Sequence, residues 1–202
     1  VADAGAPPGD GRYALFPLGV VLFPGGLLPL RIFEPRYQRM VGECLRSDRP
    51  FVVAAILDGP EAGGVAMPAA TGTLARIIDW EQLDDGLLGL LCEGGQQVAI
   101  GATEVESDKL LRASVTTLHA AEERPLPTDL AWTAGLLDEL LDRIGAPFDR
   151  LKTARPSADH VVNRLTELLP LPLAEKRRLF EIPDGLARLQ HLVELITPDR
   201  AS

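Results

Sequence analysis

At 202 residues, 46% apolar and 24% charged, the chain has the composition of a globular protein and the length for one large domain or two small ones. A chain of this size buries roughly 70% of its unfolded surface, so it needs neither a disulfide framework nor a structural metal. A formal charge of −9 argues against nucleic acid or an anionic membrane as the main partner, because both repel an acidic surface.

The segment 1–11 is rich in Ala, Gly and Pro and lacks the basic and apolar regions of a signal peptide, so it reads as a flexible tail. From Arg12 to His119 the pattern is short apolar runs separated by turn residues. Tyr13–Phe16, Leu27–Phe33, Phe51–Ile56, Thr73–Trp80, Leu87–Cys92, Gln96–Val105 and Arg112–Leu118 all have strand length. Prolines 17, 24, 29 and 35 are expected to delimit short strands, because each lacks a ladder donor. One helix interrupts the strands. Pro35 suits its first turn, Tyr37, Met40/Val41 and Cys44/Leu45 recur at helical spacing, and Pro50 stops it. Glu34 is placed to favour that helix N-terminus by ~0.3–1 kcal/mol. Asp58-Gly59 with Gly63-Gly64 marks a longer loop, and Asp85-Gly86 marks a tight hairpin whose pair supplies positive φ angles.

Pro125-Leu126-Pro127 is the change of grammar. Beyond it, Thr128 is expected to cap a helix carrying Leu136/Leu137, Leu140/Leu141 and Ile144, with Gly145 and Pro147 as its stop. Val161/Val162, Leu165 and Leu168/Leu169 form a second stripe. A third helix starts near Pro172 and a fourth near Pro183-Asp184. Strands followed by amphipathic helices predict an α+β chain. We divide it into a tail (1–11), a β-rich part (12–122) and a helical part (123–202).

Catalytic patterns fail in turn. Gly59 and Gly64 have P-loop spacing, but Val65 and Ala66 stand where Lys and Ser/Thr are needed to hold phosphate. No G-x-G-x-x-G follows a strand, no G-x-S-x-G elbow exists, and no D-x-D-x-D-G calcium loop is present. His119, His160 and His191 fall on separate elements, and Cys44 and Cys92 are isolated, so zinc has no ligand set. The two cysteines read as buried thiols in a reducing compartment. Ser107 and Lys109 are near in sequence but lie in a polar turn, and Asp84/Asp85, Glu104/Glu106 and Glu122/Glu123 fall at solvated turns and strand ends. Arg31, Arg36 and Arg39, and likewise Lys176, Arg177 and Arg178, read as solvated faces.

Leu15-Phe16-Pro17-Leu18, Val20-Val21-Leu22-Phe23-Pro24-Gly25, Leu28-Pro29-Leu30 and Ile32-Phe33-Glu34-Pro35-Arg36-Tyr37 together resemble the signature block of the Lon protease N-terminal domain family. Gly72-Thr73-Leu74-Ala75-Arg76-Ile77 resembles its second block, Asp85-Gly86 with Leu88 its hairpin, and Lys176, Leu179, Asp184 and Arg188-Leu189 its helical end. The likeness spans about residues 12 to 197. Arg31 stands where His is common, and Gln97-Val98-Ala99 replaces an Arg–aromatic–Arg alternation. The resemblance implies a PUA-like pseudo-barrel followed by a helical bundle. It implies a non-catalytic module that binds unfolded polypeptide or a protein partner in quality control, acting as a small stand-alone cytoplasmic member without ATPase or protease domains. The residue patterns, the charge of −9 and the lack of any run of 18 apolar residues lead us to expect no cofactor, no metal, no nucleic acid and no membrane span, and the oligomeric state stays open. The alternatives are a regulatory or assembly subunit docking one folded partner and, behind it, a PUA-like RNA binder. Phe23, Phe33, Tyr37 and Trp80 are the candidates for an apolar peptide groove; the rival reading puts Phe33 and Tyr37 in the core.

Overall fold

The computed structural model describes residues 12–120 and 122–197; the expected tail lies outside them. Six strands and five α-helices follow in order over the described residues: β1 (Tyr13–Leu18), β2 (Leu27–Ile32), α1 (Pro35–Ser47), β3 (Phe51–Asp58), β4 (Met67–Gln82), β5 (Leu88–Val105), β6 (Leu111–Thr117), α2 (Trp132–Ile144), α3 (Ala158–Leu168), α4 (Leu173–Glu181) and α5 (Gly185–Ile196). The chain is α+β and divides into two compact units between Leu118 and His119.

In the first unit the strands run β2-β5-β4-β3-β1-β6, and β6 also pairs with β5. β1, β3, β4, β5 and β6 therefore close a ring. Strand residues alternate between faces, and each of the five sends one inward: Leu15, Val52, Leu74, Val98 and Ala113 share one buried cluster. The alternate positions, Ala14, Phe16, Val53 and Ala75, face outward onto a second cluster with Tyr37, Met40, Val41 and Cys44 of α1. There the Phe16 and Tyr37 rings stack with centroids 3.9 Å apart.

Three local expectations are corrected here. β5 runs unbroken for 18 residues, where the sequence predicted two strands separated by Gly94-Gly95. Gly94 marks a close approach and no break. It accepts from Gly25 N–H (2.7 Å) and donates to Gly26 C=O (2.9 Å), and a Cβ there would collide with the Phe23 carbonyl. Pro17 and Pro29 lie inside β1 and β2, and do not delimit them. The ladder allows this because β6 pairs β1 only from Tyr13 to Leu15 and because β2 is an edge strand. Of the Asp85-Gly86 pair, only Gly86 adopts positive φ (81°). The turn is a five-residue loop in which Leu83 donates to Leu87 C=O (2.8 Å) and Gly86 to Leu83 C=O (2.8 Å).

In the second unit Thr128 does not cap α2; it opens a short 3-10 turn, Thr128–Leu130. Thr133 instead donates to the Leu130 carbonyl (2.7 Å) at the helix entry. α2 ends at Gly145 (φ 72°), α3 is capped by Ser157, which accepts from His160 N–H, and α5 by Asp184, which accepts from Ala187 N–H. Leu137 and Leu141, Val161, Val162 and Leu165, Leu179, and Leu189 and Leu192 meet in one core. The buried Arg188 donates to the Ile182 carbonyl from Nε (3.0 Å) and Nη2 (2.6 Å), closing the C-terminal end of α4.

Candidate functional site

β3 pairs β4 only between Met67 and Ala75, and β6 pairs β5 only between Val98 and Val105. Beyond those limits β2, the first half of β5 and the last stretch of β4 continue as a three-stranded extension of the barrel wall. Directly opposed residues share a face. Leu30, Leu90 and Trp80 form one row, and Arg31, Gly89 and Glu81 the next. The first row lies on the α1 side, where Leu90 is buried and Leu28, Leu30 and Leu88 pack against the core. Trp80 ends that row at the rim and is 57% exposed.

The opposite face carries Pro29, Arg31, Leu91, Asp79 and Glu81. Leu83 lies over Gly89, whose Cβ would meet Leu83 Cδ2 at 3.0 Å. Leu87 alternates onto the same side two residues before Gly89. Phe33, next after Ile32, is 56% exposed. Leu83, Leu87 and Leu91 are half-buried and Pro29 is exposed, so this face offers apolar surface.

The four aromatic candidates are therefore not gathered in one groove. Phe33 and Trp80 stand open on the extension. Phe23 and Tyr37 are buried, Phe23 completely, which removes both from a surface site. The expectation that Phe33 packs in the core is also corrected. The sequence marks Pro29, Leu87 and Leu91 only as parts or limits of strands, and Leu83 not at all. The signal lay in Leu87-Leu88-Gly89-Leu90-Leu91, where alternation sends Leu88 and Leu90 inward and Leu87 and Leu91 outward.

Both edges of the extension are blunted. Gly94 directs its N–H and C=O toward the chain entering β2. By alternation Cys92, Leu90 and Leu88 do the same, so their partners Leu28, Leu30 and Ile32 bond β5, while the main-chain groups of Leu27, Pro29 and Arg31 point outward. Pro29 therefore places its missing donor on the free edge of β2. On the β4 edge, the Asp79 carboxylate accepts the Trp80 N–H (2.9 Å). Strand addition is disfavoured at both edges.

The signature residues Glu34 and Arg36 act structurally. Glu34 makes no side-chain cap for α1; its carboxylate accepts Gly63 N–H (3.2 Å) and pairs with Arg36 Nη2 (2.9 Å). Arg36 Nη1 donates to the carbonyls of Gly64 (2.7 Å) and Lys109 (3.0 Å), and Glu61 accepts Gly19 N–H (3.0 Å). The opening block thus pins the β3–β4 loop.

Of the basic candidates, Arg36 is buried and not part of a solvated face, and most of the others are compensated. Arg31 pairs with Asp85, and Arg39 with Glu43, Glu106 and Asp108, while Arg112 bridges Glu43 and Glu106. Lys176 donates to the Glu167 carbonyl (2.8 Å), and Arg178 pairs with Glu175. Burial pushes the Cys44 thiol up to about 11 and the Cys92 thiol up to about 12, so neither supplies a thiolate nucleophile near neutrality. Ser107 and Lys109 occupy an exposed turn where no burial activates a lysine. Among the described residues no group of three or more His, Cys, Asp or Glu could hold a metal ion, and no helix is long and apolar enough to cross a membrane.

A closed barrel with one packed helix, a strand extension and a separate helical unit matches solved Lon N-terminal domains. The Lon N-terminal domain protein from Xanthomonas campestris superposes with a TM-score of 0.72 at 32% identity, covering 90% of this chain and 96% of that one. The N-terminal domain of the Mycobacterium avium complex Lon protease superposes with a TM-score of 0.63 at 18% identity, covering 93% and 98%. The family model of the ATP-dependent protease La (LON) substrate-binding domain matches residues 12–198, and the chain belongs to that family. Among full-length relatives, Lon protease of Xanthomonas oryzae pv. oryzae is 26% identical over 185 residues and Lon protease 2 of Myxococcus xanthus 25% over 187. The match covers 88% and 89% of this chain but 22% of each relative.

Proposed function

We infer that this chain is a non-catalytic module that binds unfolded polypeptide in protein quality control. Support comes from its membership in the substrate-binding family and from the lack of an activated nucleophile or metal set among the described residues. The observation that carries the reading is the extension, where Phe33 and Trp80 stand more than half exposed beside half-buried leucines on a sheet whose edges resist strand addition. Large rings open to water beside further apolar surface mark a place where another chain makes contact. Binding then occurs through side-chain contact with a face, and only secondarily through the main chain.

The test is titration of the chain with a permanently unfolded protein and with the same protein folded. Selective binding of the unfolded form, weakened in Phe33→Ala, supports the reading. Equal indifference to both forms, together with capture of one stoichiometric folded partner, assigns the chain to regulatory docking.

A further inference from the structure

The open face of the extension carries a one-sided charge pattern as well as apolar surface. From Ile77 to Asp108 the sequence contains eight carboxylates and neither lysine nor arginine. Three of those carboxylates, Asp79, Glu81 and Glu93, lie on the same face as Pro29, Leu83, Leu87 and Leu91, by the pairings Asp79↔Leu91, Glu81↔Gly89 and Leu27↔Glu93. Two arginines share this face, Arg31 opposite Gly89 and Arg76 opposite Glu93; Arg31 pairs with Asp85 and Arg76 with Asp48 (2.8 Å), which leaves three carboxylates in excess. Among the described residues the face is therefore apolar at its centre and carries a net negative charge from Asp79 and Glu81 on β4 and Glu93 on β5.

We propose that this face takes an extended polypeptide segment with an apolar anchor flanked by lysine or arginine. The proposal rests on the polypeptide-binding reading and adds the location and the charge selection. Phe33, Leu87 and Leu91 receive the anchor, and Glu81, Glu93 and Asp79 receive the flanking cations. Trp80, between Asp79 and Glu81 in the chain, points to the other face of the sheet with Leu30 and Leu90 and takes no part in this site. An anionic segment meets a like-charge surface and binds more weakly.

Binding is followed by the fluorescence anisotropy of three labelled peptides with one apolar core and flanks of arginine, glutamine or glutamate. The arginine-flanked peptide is expected to bind tightest and the glutamate-flanked one weakest, with the difference collapsing as salt rises. Removing two rim charges in Glu81→Gln/Glu93→Gln should weaken the arginine-flanked peptide by about fivefold and leave the glutamine-flanked one unchanged. Phe33→Ala should weaken all three. These residues are exposed, so the variants keep the fold, which circular dichroism checks. Equal binding of arginine- and glutamate-flanked peptides overturns the charge selection while the polypeptide reading stands. Unchanged binding in both variants overturns the location. Failure of every peptide to bind removes the polypeptide reading as well.

Discussion

Lys109 occupies a backbone conformation that the neighbouring hairpin gives to glycine. In both turns the fourth residue has positive φ, 81° at Gly86 and 69° at Lys109, and the same pair of backbone bonds closes the loop. An aspartate precedes each: Asp85 accepts Leu87 N–H and Asp108 accepts Leu110 N–H, both at 3.1 Å. A side chain in this region costs about 1 kcal/mol. Lys109→Gly should therefore raise stability by about 0.5–1 kcal/mol and Gly86→Ala lower it by about 1 kcal/mol, read from urea midpoints. Gly94→Ala acts differently, because its Cβ has no room beside the Phe23 carbonyl, and should cost about 1–3 kcal/mol. The buried thiols make another residue-level prediction. With Cys44 and Cys92 pushed up to about 11 and 12, iodoacetamide at mildly alkaline pH should leave both unmodified in the native chain and modify both in urea, as mass spectrometry would show.

At the level of elements, the Glu34–Arg36 pair fastens the β3–β4 loop. Glu34→Gln should lower hydrogen-exchange protection at Gly63 N–H and speed proteolysis within 59–66, with the barrel amides unaffected. The cluster of Arg39, Arg112, Glu43, Glu106 and Asp108 fastens α1 to the turn between β5 and β6. Burial opposes ionisation of Glu106, but its bonds to Arg39 and Arg112 outweigh it and hold that carboxyl below its ordinary range. A depressed carboxyl stabilises the fold above its unfolded pKa, and that contribution is lost as pH falls through the folded value. Glu106→Gln should therefore lower stability near neutrality and flatten the acid-side decline, measured by urea melts across the acid range. Much of this level was legible in the sequence. Pro35 at the start of α1, the stripes of α3 and α5, and the polar turn around Ser107 follow from local spacing. Pro17 and Pro29 misled because whether a strand tolerates proline depends on which of its edges is free, and that is a property of the assembled sheet.

For the whole molecule, the first unit contains two complete cores, one inside the barrel and one beneath α1, and neither draws on residues beyond Val115. A fragment ending at Leu118 should fold by itself and unfold cooperatively, seen as dispersed amide resonances and a single denaturation transition. In the sequence the boundary falls after residue 122, because Pro125-Leu126-Pro127 is the visible change in period. The contacts divide a few residues earlier, where β6 runs out. The aromatic candidates show the same limit. Sequence marked Phe23 and Phe33 alike as rings in a proline-punctuated block. Only the fold distinguishes them, because Phe23 is completely buried while Phe33 falls past the last paired residue of an edge strand.

β5 belongs to both the barrel and its extension, and its pairing with β4 shifts register where the two meet, from Thr73 opposite Gln97 to Ala75 opposite Gly94. A force applied along that strand would load many ladder bonds side by side, in shear, before any one of them could be peeled open. Load on the extension therefore passes along one continuous strand into the barrel wall.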